Sequence, residues 1–208
     1  MPTTPAVSAT PLIGEALLVQ YGAKKTLFAK GRSLFFEGDE CLYFHQLISG
    51  VVKMVSTTQD GKEFIQGVFY SGDSFGEPPL FDGRPYPAGA VAVEEAEIWR
   101  LPKAGFFELL QQHFDLHVQF DRILCERLRF KNMILAEISF HEPEHRIASV
   151  ITYLKKKLAK KPGPFTVPVT RQQLADMSGL RVETVIRTVK KMEADGKLKL
   201  IGHKICLP

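Results

Sequence analysis

Cysteine is scarce in this 208-residue chain: Cys41, Cys125 and Cys206 stand far apart. They offer neither a disulfide framework nor a closely spaced thiolate site; Cys41 and Cys125 could sense oxidants only if exposed and activated, and read rather as buried structural thiols. No uninterrupted apolar stretch reaches membrane-spanning length and no basic-then-apolar leader opens the chain, so a soluble cytoplasmic protein that meets no membrane is expected. Glycine-rich phosphate loops are missing, as is any Ser-His-Asp order or activated nucleophile. No catalytic residue and no cofactor are therefore expected. A catalytic barrel stays open only as a third possibility, separable by time-dependent conversion of a candidate substrate. The histidines, at 45, 113, 117, 141, 145 and 203, show no close ligand set with acidic partners on one helix. His113 and His117, four apart, could share a helical face, but they read as ordinary surface residues, and no metal is expected.

What is present points to a folded protein. A composition of 45% hydrophobic and 24% charged residues argues against disorder and allows one large domain or two ordinary ones. The charges are segregated: residues 145–208 hold 14 Lys or Arg against 4 Asp or Glu, while residues 1–144 hold 13 against 19. A basic C-terminal portion suits phosphate attraction, although membranes and acidic partners also attract such surfaces.

After a start marked by Pro2, Pro5 and Pro11, a short helix is expected around Ile13 to Tyr21. Short β-favouring runs follow at Lys24–Phe28, Leu34–Phe36, Tyr43–Ser49, Gly50–Thr57 and Glu63–Tyr70. Turn signals at Gly38, Gly50, Asp60-Gly61, Gly72-Asp73 and Asp82-Gly83 separate them, and Gly89–Arg100 closes the region. This pattern predicts a compact antiparallel barrel or double-sheet jelly roll. Ala104 to Gln111 reads as a short helix, and Phe114 to Ile138 as a helix of about seven turns. Leu116, Phe120, Ile123, Arg127, Phe130 and Ile134 recur along it at spacings of mainly three and four, with Leu124, Leu128 and Leu135 on adjacent positions. So broad an apolar surface needs a cover, either its own barrel or a second copy; the length of the helix favours a dimer through Phe120, Ile123, Leu124, Arg127 and Ile134. Another helix runs from His145 to Lys160, ended by Lys161-Pro162-Gly163-Pro164.

The C-terminal chemistry is more specific. Thr170 and Gln173 have capping-box spacing for a helix at Arg171–Met177, Ser178-Gly179-Leu180 makes a turn, and Arg181 to Ala194 forms a second helix. Two short helices around a glycine turn match a helix-turn-helix, and basic β-like segments at Lys197–Leu200 and Lys204–Leu207 add a wing. Val185, Val189 and Met192 form an inward stripe, leaving Arg181, Glu183, Thr184, Arg187 and Lys190 toward solvent. Arg187 has the fork to read guanine, and Glu183 can accept from cytosine or orient an arginine. Thr170, Arg171, Thr184, Lys190 and Lys191 suit phosphates, which fix register without reading sequence. Glu77, beside Gly76, can meet a ribose hydroxyl or cap an exposed turn; local chemistry favours the structural role.

Together, "FFEGDECLYFHQLISGVVKM" at residues 35–54, "SGDSFGEPPLF" at 71–81 and "VTRQQLADMSGLRVETVIRTVKKMEADGKLKL" at 169–200 closely resemble the Crp/Fnr family of bacterial transcription regulators. The resemblance covers about residues 15–207. It implies an α+β chain: a cyclic-nucleotide-binding-like β-roll over 12–112, a dimerisation helix over 113–140 and a winged helix over 141–208. It further implies base contacts by Glu183 and Arg187, and backbone contacts by Thr170 and Arg171. The family's arginine just before the glutamate is Val182 here, which can meet a thymine methyl or pack, with Arg181 one position away. In cyclic-AMP-responsive relatives a Gly-Glu turn works with an Arg-Ser pair about ten residues on. Gly76 and Glu77 match the turn, but the pair aligns with Pro87 and Ala88, and only Arg84 is nearby as a substitute donor. The clustered N-terminal cysteines of iron–sulfur relatives are lacking from residues 1–40.

The reading is thus a homodimeric regulator of double-stranded promoter DNA that meets RNA polymerase there. Its β-roll is open to an unidentified effector other than cyclic AMP, to redox or haem chemistry, or to no effector at all, with concentration alone driving dimerisation. The alternative is a non-catalytic ligand-binding or protein-interaction module whose basic winged helix docks a partner.

Overall fold

The computed structural model describes residues 11–57, 63–159 and 163–207. The proline-bearing first ten residues, the Asp60-Gly61 turn and the Lys161-Pro162 half of the helix breaker lie outside them. Contacts divide the chain into two compact units, which part between Ile123 and Leu124.

The first unit opens with α1 (Glu15–Gln20), β1 (Lys24–Phe28), β2 (Ser33–Phe35), β3 (Tyr43–Ser49), β4 (Val52–Thr57), β5 (Glu63–Phe69) and β6 (Ser74–Phe75). It continues through α2 (Pro78–Asp82), β7 (Gly89–Ala92), β8 (Ala96–Pro102), α3 (Lys103–Gln112) and the first part of α4 (Phe114–Phe140). Two antiparallel four-stranded sheets, ordered β1-β8-β3-β6 and β2-β7-β4-β5, make the expected jelly roll. Period-two alternation gives each inner strand two apolar destinations. On β3, Phe44 stacks on Phe106 of α3 at 4.9 Å between ring centroids, and meets Phe120 of α4 edge-on at 5.5 Å. The next residue, His45, faces the other way, among Phe35 and Phe75. The second strand ends one residue before the expected Leu34–Phe36 run, because the Phe36 N–H turns to donate to Asp39 Oδ2 at 2.8 Å.

This packing corrects the expectation for α4. Phe120 is fully buried against its own roll and Ile134 is 7% exposed within the single chain, so neither is available to a second copy. Phe130, on the same periodic stripe, stacks on Tyr153 at 3.8 Å. The adjacent stripe is the one left uncovered: Leu128 and Leu135 are 59% and 65% exposed, flanked by Leu124 and Ile138, with Lys131 between them. Ile123 and Arg127 are half-buried. Of the thiols, Cys41 is buried as expected, Cys125 is exposed against expectation, and Cys206 is half-buried. Cys125 points away from the stripe that the helix spends on its own chain.

The second unit holds the rest of α4, then α5 (Pro143–Leu158), β9 (Phe165–Thr166), α6 (Arg171–Ser178), α7 (Val182–Ala194), β10 (Lys199–Ile201) and β11 (Lys204–Leu207). Ile147, Val150, Ile151 and Leu154 of α5 join Leu174 of α6 and Val185, Val189 and Met192 of α7 in one buried centre. Strands β10, β11 and β9 form a small antiparallel sheet beside it. The β10–β11 turn is Gly202-His203, both at positive φ (53° and 68°), as a two-residue hairpin matched to strand twist requires. No helix among the described residues is long and apolar enough to cross a membrane.

Candidate nucleic-acid interface

Local chemistry sets the two helices of the interface. The Gln173 N–H donates to Thr170 Oγ1 at 3.1 Å, and the Thr170 N–H donates to Gln173 Oε1 at 2.8 Å, closing the capping box that starts α6. The Thr170 oxygen accepts in that box, so its hydroxyl hydrogen is still available to a phosphate. Gly179, left-handed at φ 64°, ends α6 and returns its N–H to Ala175.

Helix α7 is then fastened by its Val185, Val189 and Met192 stripe, whose members are at most 4% exposed. Burying each such side chain contributes roughly 1.5–3 kcal/mol, enough to hold the opposite face in place. That face carries Glu183, Arg187 and Lys190, all exposed, with Arg181 at the N-cap and Thr184 half-buried at the shoulder. Among the described residues, no side-chain hydrogen bond or ion pair engages Glu183, Arg187 or Lys190, so their charges are presented outward. Val182 is half-buried, in keeping with a residue that packs along one side.

Two positions differ from the sequence reading. Lys191 turns to α5, where its Nζ lies 3.8 Å from Glu144 Oε2, and Lys197 from the wing side also bonds Glu144. The Lys197 hydrogen bond is the main reason the Glu144 carboxyl sits below its usual range. Ile186, 41% exposed on α7, was missed; its spacing of four from Val182 was the available signal. Arg171 is half-buried at the start of α6, and burial lowers its guanidinium from the usual value, with Glu193 opposing that shift.

In the β-roll, the five expected pocket positions do not share one environment. Glu77 is fully buried, which overturns the exposed-turn reading, and Ala88 is fully buried too. Arg84 and Pro87 are exposed. Gly76 has φ 74°, and a Cβ there would come within 3.1 Å of Phe35 and Tyr86, whose rings stack at 3.7 Å. A cavity of about 300 Å³ in this unit is lined instead by residues including Phe35, Asp39, Glu40, His45, Tyr86 and Arg100. Cys41 beside it donates to Tyr86 Oη at 3.0 Å, and burial raises its thiol against the lowering effect of that bond. A raised thiol is a poor nucleophile.

The histidines also depart from the sequence reading. His113 approaches Tyr21 and His117 stacks on Phe81, with no acidic group joining them into a ligand set among the described residues. Glu137, His141 and His145 do converge, their ligand atoms lying within 4.8 Å of one another. The sequence reading had missed this group because the helix break at 141–142 separates its members.

Comparison with known proteins agrees with both units. Residues 25–113 match the cyclic nucleotide-binding domain and residues 145–208 the Crp-like helix-turn-helix domain. The chain is 27% identical over 187 residues to the fumarate and nitrate reduction regulatory protein of Escherichia coli K12, spanning 88% of this chain and 74% of that one. Its fold matches FixK2 from Bradyrhizobium japonicum with a TM-score of 0.77 at 20% identity, covering 89% of this chain and 92% of that one. It also matches the catabolite activator protein of Thermus thermophilus, with a TM-score of 0.55 at 25% identity over 93% and 88% of the two chains. A nucleotide-binding-type β-roll and a Crp-type winged helix, joined in this order over most of its length, make the chain a DNA-binding regulator of the Crp/Fnr family.

Proposed function

We propose that the protein works as a homodimer on palindromic promoter DNA, with residues 12–112 as sensor, 113–140 as dimerisation helix and 141–208 as reader. The observation that carries this reading is the outward face of α7, where Glu183, Arg187 and Lys190 stand exposed on a helix locked from behind. Arg187 reads guanine, Glu183 accepts from cytosine or orients Arg187, and Arg181 and Val182 border the bases. Thr170, Arg171, Thr184 and Lys190 hold phosphates, with Lys191 contributing less because Glu144 competes for it.

Dimerisation uses the exposed stripe of Leu124, Leu128, Leu135 and Ile138, whose 4-7-3 spacing with Lys131 in the gap follows a coiled-coil seam. Two copies of α7 then enter successive major grooves about 34 Å apart. The position of the site relative to RNA polymerase sets activation or repression. The effector is a small molecule other than cyclic AMP, since neither Pro87 nor Ala88 offers a side-chain donor to a cyclic phosphate. It switches the protein only if it binds two conformations unequally. Submicromolar calorimetric binding of cyclic AMP would overturn that part.

The decisive experiment incubates the purified protein with fragmented genomic DNA at two salt concentrations and sequences what is recovered. A reproducible palindrome is expected. Salt-sensitive recovery of all sequences alike would instead assign the basic surface to general electrostatic docking. Arg187→Ala should relax preference at one base position, at a cost of about 1–3 kcal/mol on the preferred sequence; an equal loss on every sequence would remove its reading role.

A further inference from the structure

Where α4 gives way to α5, only His141 and Glu142 lie outside the two helices. The junction is held by Arg146, whose Nε donates to the His141 carbonyl at 3.0 Å and whose Nη2 donates to the Ile138 carbonyl at 2.8 Å. These bonds occupy carbonyls that the end of α4 leaves without helical partners. Onto this fixed backbone the sequence places Glu137, His141 and His145 at intervals of four. Glu137 Oε2 lies 2.6 Å from His145 Nδ1, and the His141 and His145 rings stack with centroids 4.1 Å apart.

We propose that Glu137, His141 and His145 form a binding site for a divalent transition-metal ion of the zinc type. Two imidazoles and one carboxylate are a ligand set that borderline cations favour, and three protein ligands leave a position for water. Around a tetrahedral ion with bonds of about 2.0–2.1 Å, ligand atoms stand about 3.3 Å apart. The three groups already lie within 4.8 Å of one another, and both imidazoles are exposed. The carboxylate is aimed in advance: Glu137 is 7% exposed, and Ser149 Oγ donates to its Oε1 at 2.8 Å, which turns Oε2 toward the histidines. A bond that orients a ligand in this way strengthens a metal site. His145 also lines an open cavity of about 660 Å³, so water has access to the remaining position. The ion takes the place of the Glu137–His145 contact and ties the last turn of α4 to the first turn of α5.

The test titrates Zn²⁺ and, separately, Co²⁺ into the full chain after chelator treatment, following heat, Co²⁺ visible absorption and Tm. One ion per chain is expected, with a raised Tm. His141→Ala leaves the Glu137, His145 and Ser149 bonds in place, so it should stay folded by circular dichroism yet weaken binding at least about tenfold. Cys125→Ser, which removes the exposed thiol, should bind like the wild type. No saturable uptake by the wild-type chain would overturn the site, as would unchanged affinity in His141→Ala or loss of binding in Cys125→Ser.

Discussion

At the scale of single residues, two positions expose forces that helix and strand patterns do not reveal. Gly105 lies inside α3, where alanine ordinarily improves a helix by up to about 1 kcal/mol. A Cβ there would stand 2.3 Å from the Tyr21 carbonyl oxygen, which is backbone and cannot swing aside. Gly105→Ala should therefore lower stability, by about 1–3 kcal/mol in chemical denaturation, and a rise in Tm would contradict the close approach. His45 is 3% exposed, and its Nδ1 makes no hydrogen bond among the described residues. Burial first, and then the Arg100 charge, lower it from 6.5 to about 3. Its folded pKa is thus depressed, so between about pH 6.5 and 3 the unfolded chain takes a proton that the folded chain refuses. Stability from this group is complete above that window and declines as the pH falls through it, by an amount on the order of a few kcal/mol. His45→Phe, set among Phe35 and Phe75, should flatten the decline between pH 7 and 5 in urea titrations; an unchanged slope would place the acid sensitivity elsewhere.

Elements whose signals are local were readable in advance, and those that depend on what covers them were not. The capping box of α6 needs only Thr170 and Gln173, and the wing turn needs only Gly202 with its neighbour, so both follow from nearby residues. The apolar stripe of α4 was equally visible, yet periodicity says that a face is buried without saying by what. Phe120 and Ile134 belong to the chain's own interior, and Leu128 and Leu135, one step around the helix, were left outside. Glu77 shows the same limit, because a carboxyl in a Gly-Glu turn reads as exposed from its neighbours alone, whereas tertiary packing buries it completely. The Glu137, His141 and His145 set was hidden by a helix break that, in three dimensions, keeps the three groups together. Helix α7 gives the prediction proper to this scale. Lys190→Ala should lower DNA affinity across all sequences and reduce the slope of log affinity against log salt by about 1. Lys191→Ala should change it less, since Glu144 already holds that charge; equal effects in fluorescence-anisotropy titrations would show the Glu144 contact to be without consequence.

For the whole molecule, the charge imbalance and the exposed leucines meet in the proposed dimer, in which a basic reading unit would gain affinity by being doubled. Leu128→Glu combined with Leu135→Glu should yield monomers in analytical ultracentrifugation while leaving the interior untouched. Because linked half-sites bind with avidity, palindrome affinity should fall on the order of 10²-fold or more, with half-site binding little changed. A dimer that survives both charges would move the interface off this stripe. Lys131 carries a further consequence. In the proposed dimer it falls at the seam position between those two leucines, where an apolar residue would bind harder. A cation set opposite its own symmetry mate in such a seam would tolerate few alignments and so would exclude sliding and higher oligomers at some cost in strength. Lys131→Leu should therefore associate more tightly yet populate trimers or shifted pairings, and two recognition helices brought together out of step would no longer match the pitch of a DNA duplex.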